Sequence, residues 1–273
     1  MSSRDRTTSF VFGAWRVFEL SLGEMLWSRR TIFMLLIAGS PVVLALVVRI
    51  VRSAGVVTWP EGLAPAGVFG MMVWVLFLRF IIPVLGVFYG TSLIADEVDD
   101  KTITYLFSRP VRRGAVLAGK FIAYLVCSTL VVSPSVMLVY FLVVPVQEIG
   151  ASFVWLAADL GLTALGLAAY GSVFTLVGAF MRRPLVVGLV FAFVWEQLAL
   201  AVPGYPRRLT VAYYLQGLVP HSMPTEGVVS VLQALTTDVP SVGTGLFWLL
   251  VVCVVCLTLA VRLVERHEYV LEQ

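Results

Sequence analysis

Six runs of apolar residues, each about as long as a bilayer is thick, constrain this chain before any other feature does. They fall at 31–51, 68–95, 115–146, 151–181, 184–202 and 243–261. A helix needs about 20 consecutive apolar residues to cross the hydrocarbon core. Runs of this kind leave 60% of the 273 residues hydrophobic and only 13% charged, with a mean hydropathy of +0.97. A soluble domain carries about a quarter charged residues, so lipid rather than a large buried core is the implied solvent. Without water to satisfy backbone groups, each run must be helical. The expected fold is therefore an all-α integral membrane protein with six transmembrane helices forming one domain, with no internal repeat. Pro41, Pro83 and Pro134 fall inside runs and must be accommodated by neighbouring helices.

Lys and Arg positions orient the spans, because cytoplasmic loops retain positive charge. With the N-terminus inside, the inner segments hold fourteen of the 19 basic residues, and only Arg49, Arg52, Arg207 and Arg208 fall outside. Both termini are thus expected in the cytoplasm, with the chain in a bacterial inner or plasma membrane. Within residues 1–30, Phe10, Val11, Ala14, Val17, Phe18, Leu22, Met25 and Leu26 recur near helical spacing with Arg16, Glu19 and Glu24 between them. This reads as an interfacial amphipathic helix anchored by Trp15 and Trp27. The first apolar run begins too late for a cleavable signal peptide. Residues 203–242 form the one long outer segment, whose five prolines separate apolar pieces too short to cross.

Net charge is only +3 and is spread over loops, which argues against nucleic-acid binding. Cys253 and Cys256 have CxxC spacing, but in an apolar helix their thiols stay protonated, so they read as small core residues. The two histidines, His221 and His267, lie in segments distant from the carboxylates at 96–100, and no metal site is expected.

Residues 90–120 form the one long polar stretch between membrane-length runs. It holds Asp96, Glu97, Asp99 and Asp100, followed by Lys101, Arg109, Arg112, Arg113 and Lys120. Residues 114–120 match GxxxxGK, but Phe121 replaces the metal-binding Ser or Thr, and a membrane helix opens there instead of a strand-fed loop. No nucleotide, and hence neither ATP nor Mg, is expected to bind this chain. The carboxylate cluster lacks the spaced oxygens and turn glycine of a cation loop. Between 101 and 108, Lys101 and polar residues are interspersed with Ile103, Tyr105, Leu106 and Phe107, a short amphipathic helix that Pro110 ends. Charge concentrated in one cytoplasmic segment points to contact with a basic surface on a soluble partner.

Glu97, Lys101-Thr102, Leu106, Ser108-Arg109-Pro110-Val111, Arg113 and Gly119-Lys120 together resemble the signature of ABC-2-type permeases, the membrane subunits of ATP-binding cassette transporters. The six-span layout, the N-terminal helix and the long last outer loop are similar to that family as well. The resemblance is strongest to permeases paired with copper-processing, gliding or antibiotic-export ATPases. Asp99-Asp100 and Arg112 depart from the usual pattern. What the resemblance implies is a coupling helix at 96–113, in which Glu97, Asp99, Asp100, Lys101, Thr102, Leu106, Pro110, Arg113 and Lys120 meet a separate ATP-binding subunit. A second permease copy or homologous permease completes the assembly, ATP and Mg belong to the partner, and this chain is a transport subunit and not an enzyme.

Three ionisable residues, Arg79, Asp159 and Glu196, lie inside apolar runs, where charge is costly and marks function by default. Helical rise places all three in the outer half, near enough in depth for Arg79 to pair with Asp159 or Glu196. Two readings stand: a structural ion pair, or the lining of a translocation path or gate. Export of a hydrophobic or amphipathic substrate is the expected activity. The rivals are an ATPase-driven mechanical anchor without solute flux and an intramembrane enzyme built on Asp159 and Glu196.

Overall fold

The computed structural model describes residues 3–55, 65–93, 113–181, 183–202, 204–219 and 240–266, and among these residues the chain is helical with no strand. The first helix, α1, runs Ser3–Leu26. It turns Gly13, Ala14, Val17, Phe18, Ser21, Leu22 and Met25 inward, a spacing of three and four residues, and leaves Phe12, Trp15, Leu20 and Trp27 exposed. The hydroxyls of Ser28 and Thr31 both engage the Met25 carbonyl, which closes the corner into α2, Arg29–Ser53.

Four further long helices follow: α3 at Pro65–Leu93, α4 at Arg113–Val143, α5 at Ile149–Phe180 and, after two shorter ones, α8 at Val242–Arg266. With α2, these make five helices long and apolar enough to cross a membrane. The run at 184–202 forms α6, an apolar helix over Pro184–Leu200 that falls just short of that length. Beyond it, Val211–Gln216 is a six-residue helix, α7.

The helix α5 is the centre of the bundle, with α3, α4, α6 and α8 packed around it. Its span is 56% buried, whereas that of α8 is 17% buried, so most of α8 faces away from the protein. Close approach around α5 depends on missing side chains. A Cβ on Gly86 or Gly90 of α3 would come within 2.9 Å of the Cβ of Tyr170 or Phe174, and one on Gly178 would sit 2.7 Å from the Thr91 carbonyl oxygen. Helices joined this way gain van der Waals contact over their backbones, the main attraction available between spans in lipid.

Three stretches are wound wider than an α-helix: Val73–Ile81 and the shorter Gly86–Gly90 in α3, and a turn in α6. In α3 the π-helical segment Val73–Ile81 ends with the Ile82 amide reaching back five residues to the Phe77 carbonyl. Pro83 supplies no amide for the Arg79 carbonyl, the partner an α turn would need, and the wide winding falls just before it. A π turn in α6, Phe191–Trp195, has the Glu196 amide bonded to the Phe191 carbonyl and contains no proline.

Candidate functional site

At the end of the bundle that carries the chain termini, α4 is the meeting point. Gly114 lies where a Cβ would be 2.7 Å from Val261 and 2.9 Å from Glu265 of α8. One turn on, a Cβ at Gly119 would be 2.5 Å from the Ala14 carbonyl and 3.0 Å from Val17, so α1 lies directly on α4 there. Both glycines of the GxxxxGK match are therefore helix contacts, wound within α4. Leu117, Ala179, Ala260 and Val264 form a small core at this end, joining α4, α5 and α8. Lys120 is half-buried beside Gly119, and Arg113 opens α4. The remaining expected coupling residues, Glu97, Asp99, Asp100, Lys101, Thr102, Leu106 and Pro110, lie outside the described residues, as do His221 and His267.

At the opposite end a polar site joins four elements. Glu196, with 2% of its surface exposed, accepts a hydrogen bond from the Tyr170 hydroxyl of α5 and another from the Val211 amide at 3.1 Å. The Ala212 amide faces the same carboxylate. These are the first amides of α7, which have no partners within a helix. A carboxylate is favoured there by the helix dipole as well. Thr210 completes the cap by accepting from the Tyr213 amide at 3.3 Å. The far side of α7 is seated on α8: a Cβ on Gly245 would lie 2.9 Å from the Tyr214 carbonyl, and the Tyr214 and Trp248 rings stack at 6.3 Å.

Arg79 reaches into this site from α3. Its guanidinium donates to Gln197 Oε1 at 2.6 Å, lies 5.8 Å from the centre of the Trp74 ring, and sits in the field of Glu196. Next to it the Phe80 and Phe193 rings meet edge to face at 5.9 Å. Two of the three intramembrane charges are thus brought into one site. Asp159 is completely buried on α5, eleven residues before Tyr170, or about 16 Å along the helix axis.

Tyr170 and Gln197 were not among the residues expected from sequence. Gln197 carried a usable signal, an amide beside a carboxylate in an apolar run. Tyr170 carried none, since nothing in the order of residues says which aromatic of α5 faces Glu196.

The fold and these two ends define a polytopic helical membrane protein whose buried charges brace helices against one another. Its sequence matches the family model described as ABC-2 family transporter protein over residues 7–268, and the chain belongs to that family. No curated protein matches the sequence. Membranes, transport and work alongside an ATP-binding subunit are the general province of the family.

Proposed function

We propose that this chain is the permease subunit of an ATP-binding cassette exporter in a bacterial inner membrane. In this reading α2, α3, α4, α5, α6 and α8 are the six spans, α1 lies in the cytoplasmic interface, and both termini are cytoplasmic. The segment at 96–113 docks on a separate ATPase, which binds the ATP and Mg. Two permeases, identical or homologous, enclose a path that opens alternately to either side, with Arg79, Asp159 and Glu196 near its outer gate.

The observation that carries this reading is the family match across nearly the whole chain. The packing at the start of α4 supports it: a push on the segment before Arg113 arrives at a helix in backbone contact with α1 and in side-chain contact with α8. The separation of Asp159 from the Glu196 site counts against the intramembrane enzyme, which needs both carboxylates at one centre.

The test is co-expression with an ATPase encoded beside this gene. Wild-type chain should co-purify with it, and Glu97→Ala or Leu106→Asp should each cut the recovered ATPase by about tenfold, the effect of losing one interface anchor. Full recovery with both variants would refute the coupling role. Hydrolysis coupled to the partner without any solute flux in proteoliposomes would select the mechanical anchor instead.

A further inference from the structure

Glu196 and Gln197 are neighbours in sequence yet are held in different ways. Glu196 faces three donors on two other elements, the Tyr170 hydroxyl and the amides of Val211 and Ala212, and is almost wholly buried. Removing it would leave buried donors without partners, the costly side of hydrogen-bond loss. Gln197 receives one hydrogen bond, from a part-exposed Arg79. That bond crosses from α6 to Val73–Ile81, the wide-wound stretch of α3 that lies away from its glycine contacts with α5.

The other half of α3 is fixed differently. From Gly86 to Thr91 its backbone is pressed against α5 at Tyr170, Phe174 and Gly178 with no room for a Cβ. A wide turn that tightens to an α turn shifts the helix by one residue, which turns everything beyond it by about 100°. The second wide turn of α3, Gly86–Gly90, is held by this packing on α5, so a shift at Val73–Ile81 is taken up on the Arg79 side. Arg79 would leave Gln197, whereas the hydrogen bonds to Glu196 come from α5 and α7 and not from α3.

We infer that Glu196 is a permanent pin, fixing α7 to α5 and α6 as one body, and that Arg79–Gln197 is the releasable clasp along which α3 parts from that body. Gln197 and Tyr170 become positioning residues, and α7 becomes a cover that travels with α6. The inference deepens the proposed gate and rests on the permease reading for what the opening serves.

The experiment uses the full chain in lipid nanodiscs and needs neither ATPase nor substrate, so its failure is separate from a failure of the co-purification above. Hydrogen exchange is followed in peptides covering 205–216. Glu196→Ala should speed exchange by about tenfold, and Gln197→Leu should leave it unchanged. Should Glu196→Ala not fold, Tyr170→Phe and Glu196→Gln give the same comparison at smaller amplitude. The second readout is cross-linking of Phe80→Cys to Phe193→Cys by a short bifunctional reagent, with Cys127, Cys253 and Cys256 replaced by alanine. Arg79→Gln or Gln197→Leu should lower its yield several-fold, and Tyr170→Phe should not. Equal exchange in the Glu196 and Gln197 variants would overturn the division of roles, as would a cross-link indifferent to Arg79→Gln.

Discussion

The two ends of the bundle are joined by different physics. Toward the termini, helices meet through glycines: Gly114 on α8, Gly119 on α1, Gly178 on the Thr91 carbonyl. Toward the opposite end one glycine contact, Gly245 on α7, is joined by polar side chains: Arg79 on Gln197, Glu196 on Tyr170 and the start of α7, Tyr140 on Ser152. Backbone contact leaves no slack, since packed interiors resist small displacements. A side-chain hydrogen bond has alternatives, because rotamers and partners can be exchanged. One end is therefore suited to carrying a displacement and the other to changing its contacts in response.

The largest effect that can break this contrast is expected at Gly178. A Cβ there faces the backbone of Thr91, its oxygen at 2.7 Å and its Cα at 3.1 Å, not the flexible tip of a side chain. Gly178→Val should cost about 3 kcal/mol, the upper part of the usual overpacking range. Thermal unfolding followed by tryptophan fluorescence in detergent would measure it. A variant as stable as wild type would mean the terminal end yields as readily as the other.

Glu196→Ala comes next. It strands the Val211 and Ala212 amides and the Tyr170 hydroxyl together, and about 2 kcal/mol is expected from orphaned buried donors. The same melting assay applies, with Glu196→Gln recovering part of the loss because one oxygen still accepts. A loss larger than that of Gly178→Val would invert the ranking of the two ends. Below it lies Gln197→Leu, at about 1 kcal/mol, since polar contacts between spans average less than their strength in isolation would imply. Its melting point should shift less than that of Glu196→Ala while its effect on cross-linking is greater.

How much of this contrast the sequence carried differs between the ends. Helical class followed from hydropathy, because a run of some 20 apolar residues has one stable outcome in lipid. Arg79 and Glu196 stood out as charges where charge is expensive. The glycine contacts were not legible: Gly114 and Gly119 read first as fragments of a phosphate loop, and only the crossing of α1 and α8 over α4 reveals what their missing side chains admit. Arg79 illustrates the same limit. Depth along a helix allowed Asp159 or Glu196 as its partner, whereas the rotation of α3 and α6, set by wide turns with no sequence signature in α6, delivered it to Gln197. Depth is a one-dimensional quantity that sequence supplies, and azimuth is set by packing.

The smallest effect is expected where the polar end has most redundancy. The Tyr140 hydroxyl lies 2.6 Å from Ser152 Oγ and 3.2 Å from the Ile149 carbonyl, and Ser152 also donates to the Glu148 carbonyl at 2.7 Å. In Ser152→Ala the tyrosine keeps the Ile149 carbonyl as acceptor, and the Glu148 carbonyl keeps its place at the exposed start of α5. About 0.6 kcal/mol should be lost, the average for a hydrogen bond between membrane helices. Tyr140→Phe removes the donor to both acceptors and should cost no more than twice that, because the ring remains packed edge to face on Phe69 at 5.2 Å. Melting of the two single variants and the double variant forms a cycle that isolates the coupling between these hydroxyls. A coupling near zero would place this corner with the freely exchangeable contacts of its end, whereas one above the cost of Gln197→Leu would make it a second fixed point beside Glu196.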